Sequence, residues 1–214
     1  MRHIIRFVLA AALAGTSASA LADEASEAER LAKLMGVRAG SRVAAIGAGE
    51  GELAVEIARR LGPTGRVYAT ELGEEDRAAI RESARVAGLA NLEVIEAQIA
   101  ATGLPSKCCD AVFMRNVYHH LSDPGAIAKD IQRALVPGGL LVVIDFPPTW
   151  YLAPWSPKGV GEERTEHGIT IEAALRELEG AGFERVDVHE AWTDRWFAGD
   201  AYALVLRAPH GIAR

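Results

Sequence analysis

The sequence predicts an α/β fold: one doubly wound, mostly parallel seven-stranded sheet that ends in an antiparallel strand pair. Three observations carry this. From Arg42 to about Asp145, short apolar runs alternate with segments of helical period, the pattern of a parallel sheet with helices on both faces. Glycines mark the junctions, most densely at Gly47, Gly49 and Gly51. After about Gly180 two runs follow with no helical period between them, and such strands pair antiparallel.

The elements follow in order. Ser26-Glu27-Ala28-Glu29 is a capping-box pattern that predicts a short helix with Leu31, Leu34 and Met35 on one side, closed by Gly36. Arg42 to Ile46 reads as a buried strand, and Glu50 to Leu61 as a helix stopped by Gly62-Pro63. A strand at Arg66 to Glu71, a helix from Glu74 to Ala87 and a strand at Leu92 to Glu96 come next. A loop with Leu104-Pro105 leads to a strand at Asp110 to Arg115. Ser122-Asp123-Pro124 caps a helix that ends before Pro137-Gly138-Gly139, and Leu140 to Asp145 is a strongly apolar strand. Thr170 caps a helix to about Gly180. The closing strands are Phe183 to Glu190 and Ala201 to Arg207, joined by a loop holding Trp192, Trp196 and Gly199.

Residues 1–22 stand apart from this pattern. A basic start (Arg2, Arg6), an apolar run from Phe7 to Gly15 and small residues ending in Ala20-Leu21-Ala22 make the layout of a secretory signal peptide. The expected organisation is therefore a signal at 1–22, a helical extension at 23–40 and one domain at 41–214, in a protein exported to a bacterial periplasm. No stable membrane insertion is expected after cleavage, since the apolar run is short for a span. Cleavage would take the formal charge from −6 down by two, to −8, which disfavours nucleic acid as a partner. Cys108 and Cys109 are the only cysteines. Adjacent cysteines close a strained ring, so they are expected to remain unbonded and to pack as small apolar residues. No Cys/His spacing suggests a metal.

The chemistry concentrates at VAAIGAGEGELAVEIA, residues 43–58. A buried strand runs into glycines at alternate positions and then a helix, a turn that lets a ligand pack on backbone without a Cβ between them. In parallel sheets this turn lies at the ligand crevice. The spacing is G-x-G-x-G, a poorer fit to a dinucleotide pyrophosphate than G-x-G-x-x-G. The next strand ends in Glu71, twenty residues after Gly51, where a carboxylate can accept from both ribose hydroxyls of an adenosine.

With VYATEL, NLEVIEAQI, LPSKCCDAVFMRNVYHHLSDP, GGLLVVIDF and AGFERVDV in the same order, the chain resembles the class I S-adenosylmethionine-dependent methyltransferases. Within them it looks most like a group of exported, poorly characterised bacterial methyltransferases with the same Arg-Asn-Val-Tyr-His-His run. The resemblance implies a Rossmann-like fold, S-adenosylmethionine as cofactor and a small-molecule substrate. It also implies that Gly47, Ala48, Gly49 and Gly51 form the cofactor turn, that Glu71 holds the ribose and that Leu72 and Ile99 flank the adenine. Gln98 stands where the family has an aspartate for the adenine amino group, and its carbonyl can also accept. Arg115 sits where backbone groups meet the methionine end.

Methyl transfer from a sulfonium needs a positioned nucleophile and, for some acceptors, a base. Tyr118, His119 and His120 follow the fourth strand and are the candidate catalytic residues; a histidine suits the base. The alternative, histidines that only hydrogen-bond the backbone, stays open. Asp145 and His167 are weaker candidates. The segment from Phe146 to Glu166, with Trp150, Tyr151 and Trp155, reads as either a lid or a core plug. A cofactor- or partner-binding protein without catalysis is the alternative function, and an NAD-linked oxidoreductase ranks third because of the glycine spacing.

Overall fold

A computed structural model describes residues 23–148, 163–165, 168–193 and 201–210. The proposed signal and Trp150, Tyr151, Trp155, His167, Trp196 and Gly199 lie outside the described residues. The elements are α1 (23–34), β1 (Arg42–Ile46), α2 (Glu52–Leu61), β2 (Arg66–Glu71), α3 (Glu74–Val86), β3 (Leu92–Glu96) and β4 (Cys109–Arg115). A single 3₁₀ turn (Tyr118–His120), α4 (Pro124–Ala134) and β5 (Leu135–Asp145) follow. A short hairpin β6 (Arg164–Thr165) and β7 (Gly168–Ile169) leads to α5 (Ile171–Gly180), β8 (Glu184–Thr193) and β9 (Ala201–Arg207).

The sheet has seven strands in the order β3-β2-β1-β4-β5-β9-β8. The first five run parallel, while β9 pairs antiparallel with both β5 and β8. This is the expected doubly wound architecture. Successive residues of a strand point to opposite faces, so β1 splits between two cores. Val43 and Ala45 pack with Leu31 of α1, Ile57 of α2 and Ile80 of α3. Ala44 and Ile46 face the layer of Ile131 of α4 and Leu178 of α5. Burying each such Leu or Ile contributes about 1.5–3 kcal/mol.

Several local readings needed correction, among them the start of β5, which begins at Leu135 and takes in Pro137-Gly138-Gly139 rather than starting at Leu140. Residues 23–26 are already helical, so Ser26 lies inside α1 and is not its cap. Gly51 has φ 90, outside right-handed helical space, and α2 therefore starts at Glu52 rather than Glu50. Trp192 belongs to β8, not to the following loop, and is buried against the α1 side of the sheet. Cys108 and Cys109 are joined by a disulfide rather than unbonded. Lys107 turns with φ 52 just before them, and both sulfur-bearing side chains face the same buried layer.

Candidate active site

The crevice forms where β1 and β4 end side by side and the chain must leave in opposite directions. Gly47 and Gly49 take φ 64 and 58, left-handed values that favour glycine. The amides of Gly47 and Ala48 both donate to the Thr70 carbonyl, at 3.0 and 3.2 Å, which ties the turn to β2. A Cβ on Gly47 would fall 2.5 Å from Val117 Cγ2, whereas the space in front of Gly49 is open for 4 Å. A Cβ on Gly51 would instead meet Ile80 of α3 at 3.2 Å. Gly51 thus serves the packing of α2 on α3, while Gly47, Ala48 and Gly49 line a cavity of about 130 Å³.

Glu71 at the end of β2 turns its carboxylate onto this loop. Its Oε1 accepts from the Gly49 amide at 2.7 Å and its Oε2 from the Leu72 amide at 3.2 Å. A carboxylate has lone pairs to spare beyond two such bonds. Arg77, which is buried, donates to the carbonyls of Glu71 and Leu72 and fixes the corner. Leu72 and Ile99, after the neighbouring ends of β2 and β3, are 57% and 70% exposed. Gln98 is also exposed and forms a backbone bridge with Ala101.

Beyond β4, Asn116 takes φ 59, and Val117 leads into the 3₁₀ turn. His119 is fastened to Asp145 at the end of β5 by two bonds. Its backbone amide donates to Oδ2 at 3.0 Å, and its ring Nδ1 lies 2.8 Å from Oδ1. Oδ1 also accepts from the Phe146 amide at 2.9 Å. The His119 ring packs on His120 and Phe146, with centroids 3.9 and 5.0 Å away. Tyr118 turns instead into the layer of α4 and α5 and donates its hydroxyl to Glu177 at 3.0 Å. Burial, reinforced by the Glu177 carboxylate, pushes its phenol well above the ordinary tyrosine range. Arg164 of β6 spans this group, donating to the carbonyls of Tyr118 and His119 and to Glu177.

Arg115 is held by residues that sequence reasoning assigned to an extension. Its Nη1 donates to Glu24 at 2.9 Å and to Glu27 at 2.6 Å, both on α1. The other oxygen of Glu27 accepts from Trp192 Nε1 at 2.8 Å. Arg30 donates to the Trp192 carbonyl and stacks 4.1 Å from the centre of its ring. Burial disfavours the Arg115 charge, but Glu27 and Glu24 outweigh it and raise its pKa. A second cavity, of about 760 Å³, lies beneath this clamp and is lined by Glu24, Glu27, Arg115, Asn116 and Trp192 among others. Arg115 and Asn116 line both cavities. No amphipathic or spacing signal marked Glu24 and Glu27 as functional, because their partners are remote in sequence.

Comparison with known proteins agrees with this geometry. Residues 44–143 match the family described as a methyltransferase domain. A ubiquinone/menaquinone biosynthesis C-methyltransferase of Pseudomonas putida is 32% identical over 115 residues, which is 53% of this chain and 45% of that protein. The chain therefore spans about half the length of the curated relatives it matches. An S-adenosylmethionine-dependent methyltransferase from Aquifex aeolicus superposes with a TM-score of 0.69 at 24% identity, covering 85% of this chain and 89% of that one. The [4+2]-cyclase SpnF reaches the same TM-score at 20% identity, over 86% and 81% of the two chains, so the fold alone does not decide the reaction. No helix among the described residues is long and apolar enough to cross a membrane. The chain has the Rossmann-like α/β fold of the S-adenosylmethionine-dependent methyltransferases, and its residues 44–143 match a methyltransferase domain.

Proposed function

We propose that this chain is an S-adenosylmethionine-dependent methyltransferase acting on a small-molecule acceptor. The observation that carries the reading is the meeting of the Glu71 carboxylate with the Gly49 amide at 2.7 Å, across the ends of adjacent strands and inside the matched segment. The residues present fit the cofactor. Open space faces Gly49, a carboxylate stands beside it, and Leu72 and Ile99 are exposed apolar side chains suited to a flat ring.

When bound, the cofactor supplies a methyl group on a positively charged sulfur. Gly47, Ala48 and Gly49 would receive its methionine and ribose portion, and Glu71 would accept from the ribose hydroxyls. Leu72 and Ile99 would cover the adenine, and the Gln98 carbonyl would accept from its amino group. The backbone of Arg115 would meet the methionine end. His119 and His120 are the candidates to take a proton from the acceptor. Tyr118 serves the fold, since its hydroxyl is engaged by Glu177. The name of the Pseudomonas putida relative, a quinone-pathway C-methyltransferase, supports a small-molecule acceptor. So does the 760 Å³ cavity, which is within the usual size of ligand pockets.

Titration calorimetry with S-adenosylmethionine, S-adenosylhomocysteine and NAD tests the cofactor. Binding of the first two and not NAD is expected, and the reverse would overturn the reading. A methyl-release assay over a panel of small acceptors then tests catalysis against binding alone. We further propose, from the basic, apolar and small-residue layout of 1–22, that the protein is exported and its signal removed. Residues 41–214 would then form the methyltransferase domain, with 23–40 preceding it.

A further inference from the structure

Glu24 and Glu27 stand three residues apart on α1, so one face of the helix presents both carboxylates to Arg115, the last residue of β4. Both glutamates bind the same nitrogen. Nη1 donates to Glu24 at 2.9 and 3.1 Å and to Glu27 at 2.6 Å. A guanidinium carries further N–H donors in one rigid plane. Its Nε–Nη2 edge donates to nothing among the described residues, and such an edge matches a carboxylate through two parallel bonds. Arg115 also lines both cavities, the small one beside Gly47, Ala48 and Gly49 and the large one bordered by α1. Arg30, the other guanidinium of the large cavity, is engaged by the Trp192 carbonyl and ring. Two glutamates on one guanidinium leave one negative charge in excess. That excess repels a bare anion and suits a group that brings its own cation.

We infer that the Arg115 side chain receives the carboxylate of the cofactor's methionine end, and that α1 belongs to the cofactor site, with Glu24 and Glu27 as positioning residues. The inference rests on the methyltransferase reading. The methionine end is zwitterionic. Its carboxylate meets the remaining edge of the guanidinium, and its ammonium offsets the excess charge of the glutamates. By holding Nη1, Glu24 and Glu27 fix the plane in which that edge lies, which lowers the ordering cost of binding. The helix gains in return. A carboxylate on one edge of Arg115 steadies the guanidinium against the glutamates on the other, so the bound cofactor stiffens α1. Glu24, Glu27 and Arg115 line the large cavity as well, and the same contact therefore firms the wall of the space proposed for the acceptor. α1 precedes the matched segment, residues 44–143.

The test needs no acceptor. Calorimetry on the full chain compares S-adenosylmethionine with its decarboxylated form, which keeps the adenosine, the sulfonium and the amine and lacks only the carboxylate. Wild type should bind S-adenosylmethionine on the order of 10–100-fold tighter, as charge-assisted bonds to a partly buried guanidinium allow. In R115Q that preference should largely disappear. In R115K, which keeps a cation for Glu24 and Glu27 without the planar fork, it should fall to an intermediate value. Affinity for the decarboxylated form should not fall in either variant, which separates recognition of the carboxylate from a general disturbance of the fold. Should the variants fail to fold, hydrogen exchange on wild type decides. At equal saturation, S-adenosylmethionine should slow exchange in residues 23–34 more than the decarboxylated form does. Equal wild-type affinity for the two ligands would overturn the inference, as would a preference that survives in R115Q or equal protection of α1 by both. Failure of S-adenosylmethionine and S-adenosylhomocysteine alike to bind wild type would instead overturn the methyltransferase reading itself.

Discussion

The carboxylate of Glu71 reaches 2.7 Å from the amide of Gly49, closing the mouth of one strand with the end of its neighbour. Glu71 is the last residue of β2 while Gly49 follows β1, and the two strands are in parallel register from Arg42↔Arg66 to Ile46↔Thr70. Proper placement of this acid therefore depends on the sheet and on nothing in the ligand.

Glu71→Ala is expected to weaken S-adenosylmethionine binding by about 1–3 kcal/mol, the cost of leaving polar groups without a partner. Calorimetry on folded variant measures this directly. Wild-type affinity in the variant would remove Glu71 from the site.

Gly47→Ala places a Cβ at φ 64 and 2.5 Å from Val117 Cγ2. The left-handed conformation alone costs roughly 1 kcal/mol for a residue with a Cβ, and the contact adds to it. A fall in thermal midpoint is expected, with partial recovery when Val117→Ala is combined with it. If the double variant is no more stable than Gly47→Ala alone, Val117 is not what limits this position.

The Glu27 carboxylate bridges Arg115 and Trp192, so Glu27→Gln should loosen α1 from the sheet. Loss of one of the two charged partners of a partly buried guanidinium is expected to cost about 1–3 kcal/mol. Hydrogen exchange should then speed up in residues 23–34 more than in α4. Unchanged protection there would show that the apolar contacts of Ala28, Leu31 and Met35 hold the helix without the clamp.

Asp130 links α4 to the loop before β4. It accepts from the amide and hydroxyl of Thr102 at 2.8 and 2.6 Å and from Arg133 at 2.8 Å. Burial alone would raise its pKa, but the bonds from Arg133 and Thr102 outweigh burial and lower it. A lowered carboxylate stabilises the fold above its unfolded pKa of about 4 and loses that contribution as pH falls through the folded value. Denaturant titrations of wild type and Asp130→Asn should differ by a constant amount above about pH 5 and converge in acid. A difference that persists undiminished in acid would contradict this.

Mature protein recovered from a bacterial host should begin at Asp23 and fractionate with the periplasm, as the layout ending at Ala22 implies. Intact Met1 on cytoplasmic protein would refute the proposed export.

Local signals in the chain determined the strands and helices, because each is written in a short window. Strands β1, β2, β3 and β9 fall on the residues the sequence marks; for β1 and β9 the reason is that a strand buried on both faces is an unbroken apolar run. Asp123 and Thr170 cap α4 and α5 through their own side chains, as their positions before helical periods imply. The glycine turn was legible for the same reason, because left-handed backbone and close approach demand glycine locally. The pairings that shape the site were decided only by the tertiary structure. Arg115 meets Glu24 and Glu27 across 91 and 88 residues, Trp192 meets Glu27 across 165, and Tyr118 meets Glu177 across 59. A charge or hydroxyl carries no periodicity that names its partner. Which carboxylate lies opposite follows from strand order and from the face each helix covers, so Asp145 became the partner of His119 only once β4 and β5 lay side by side.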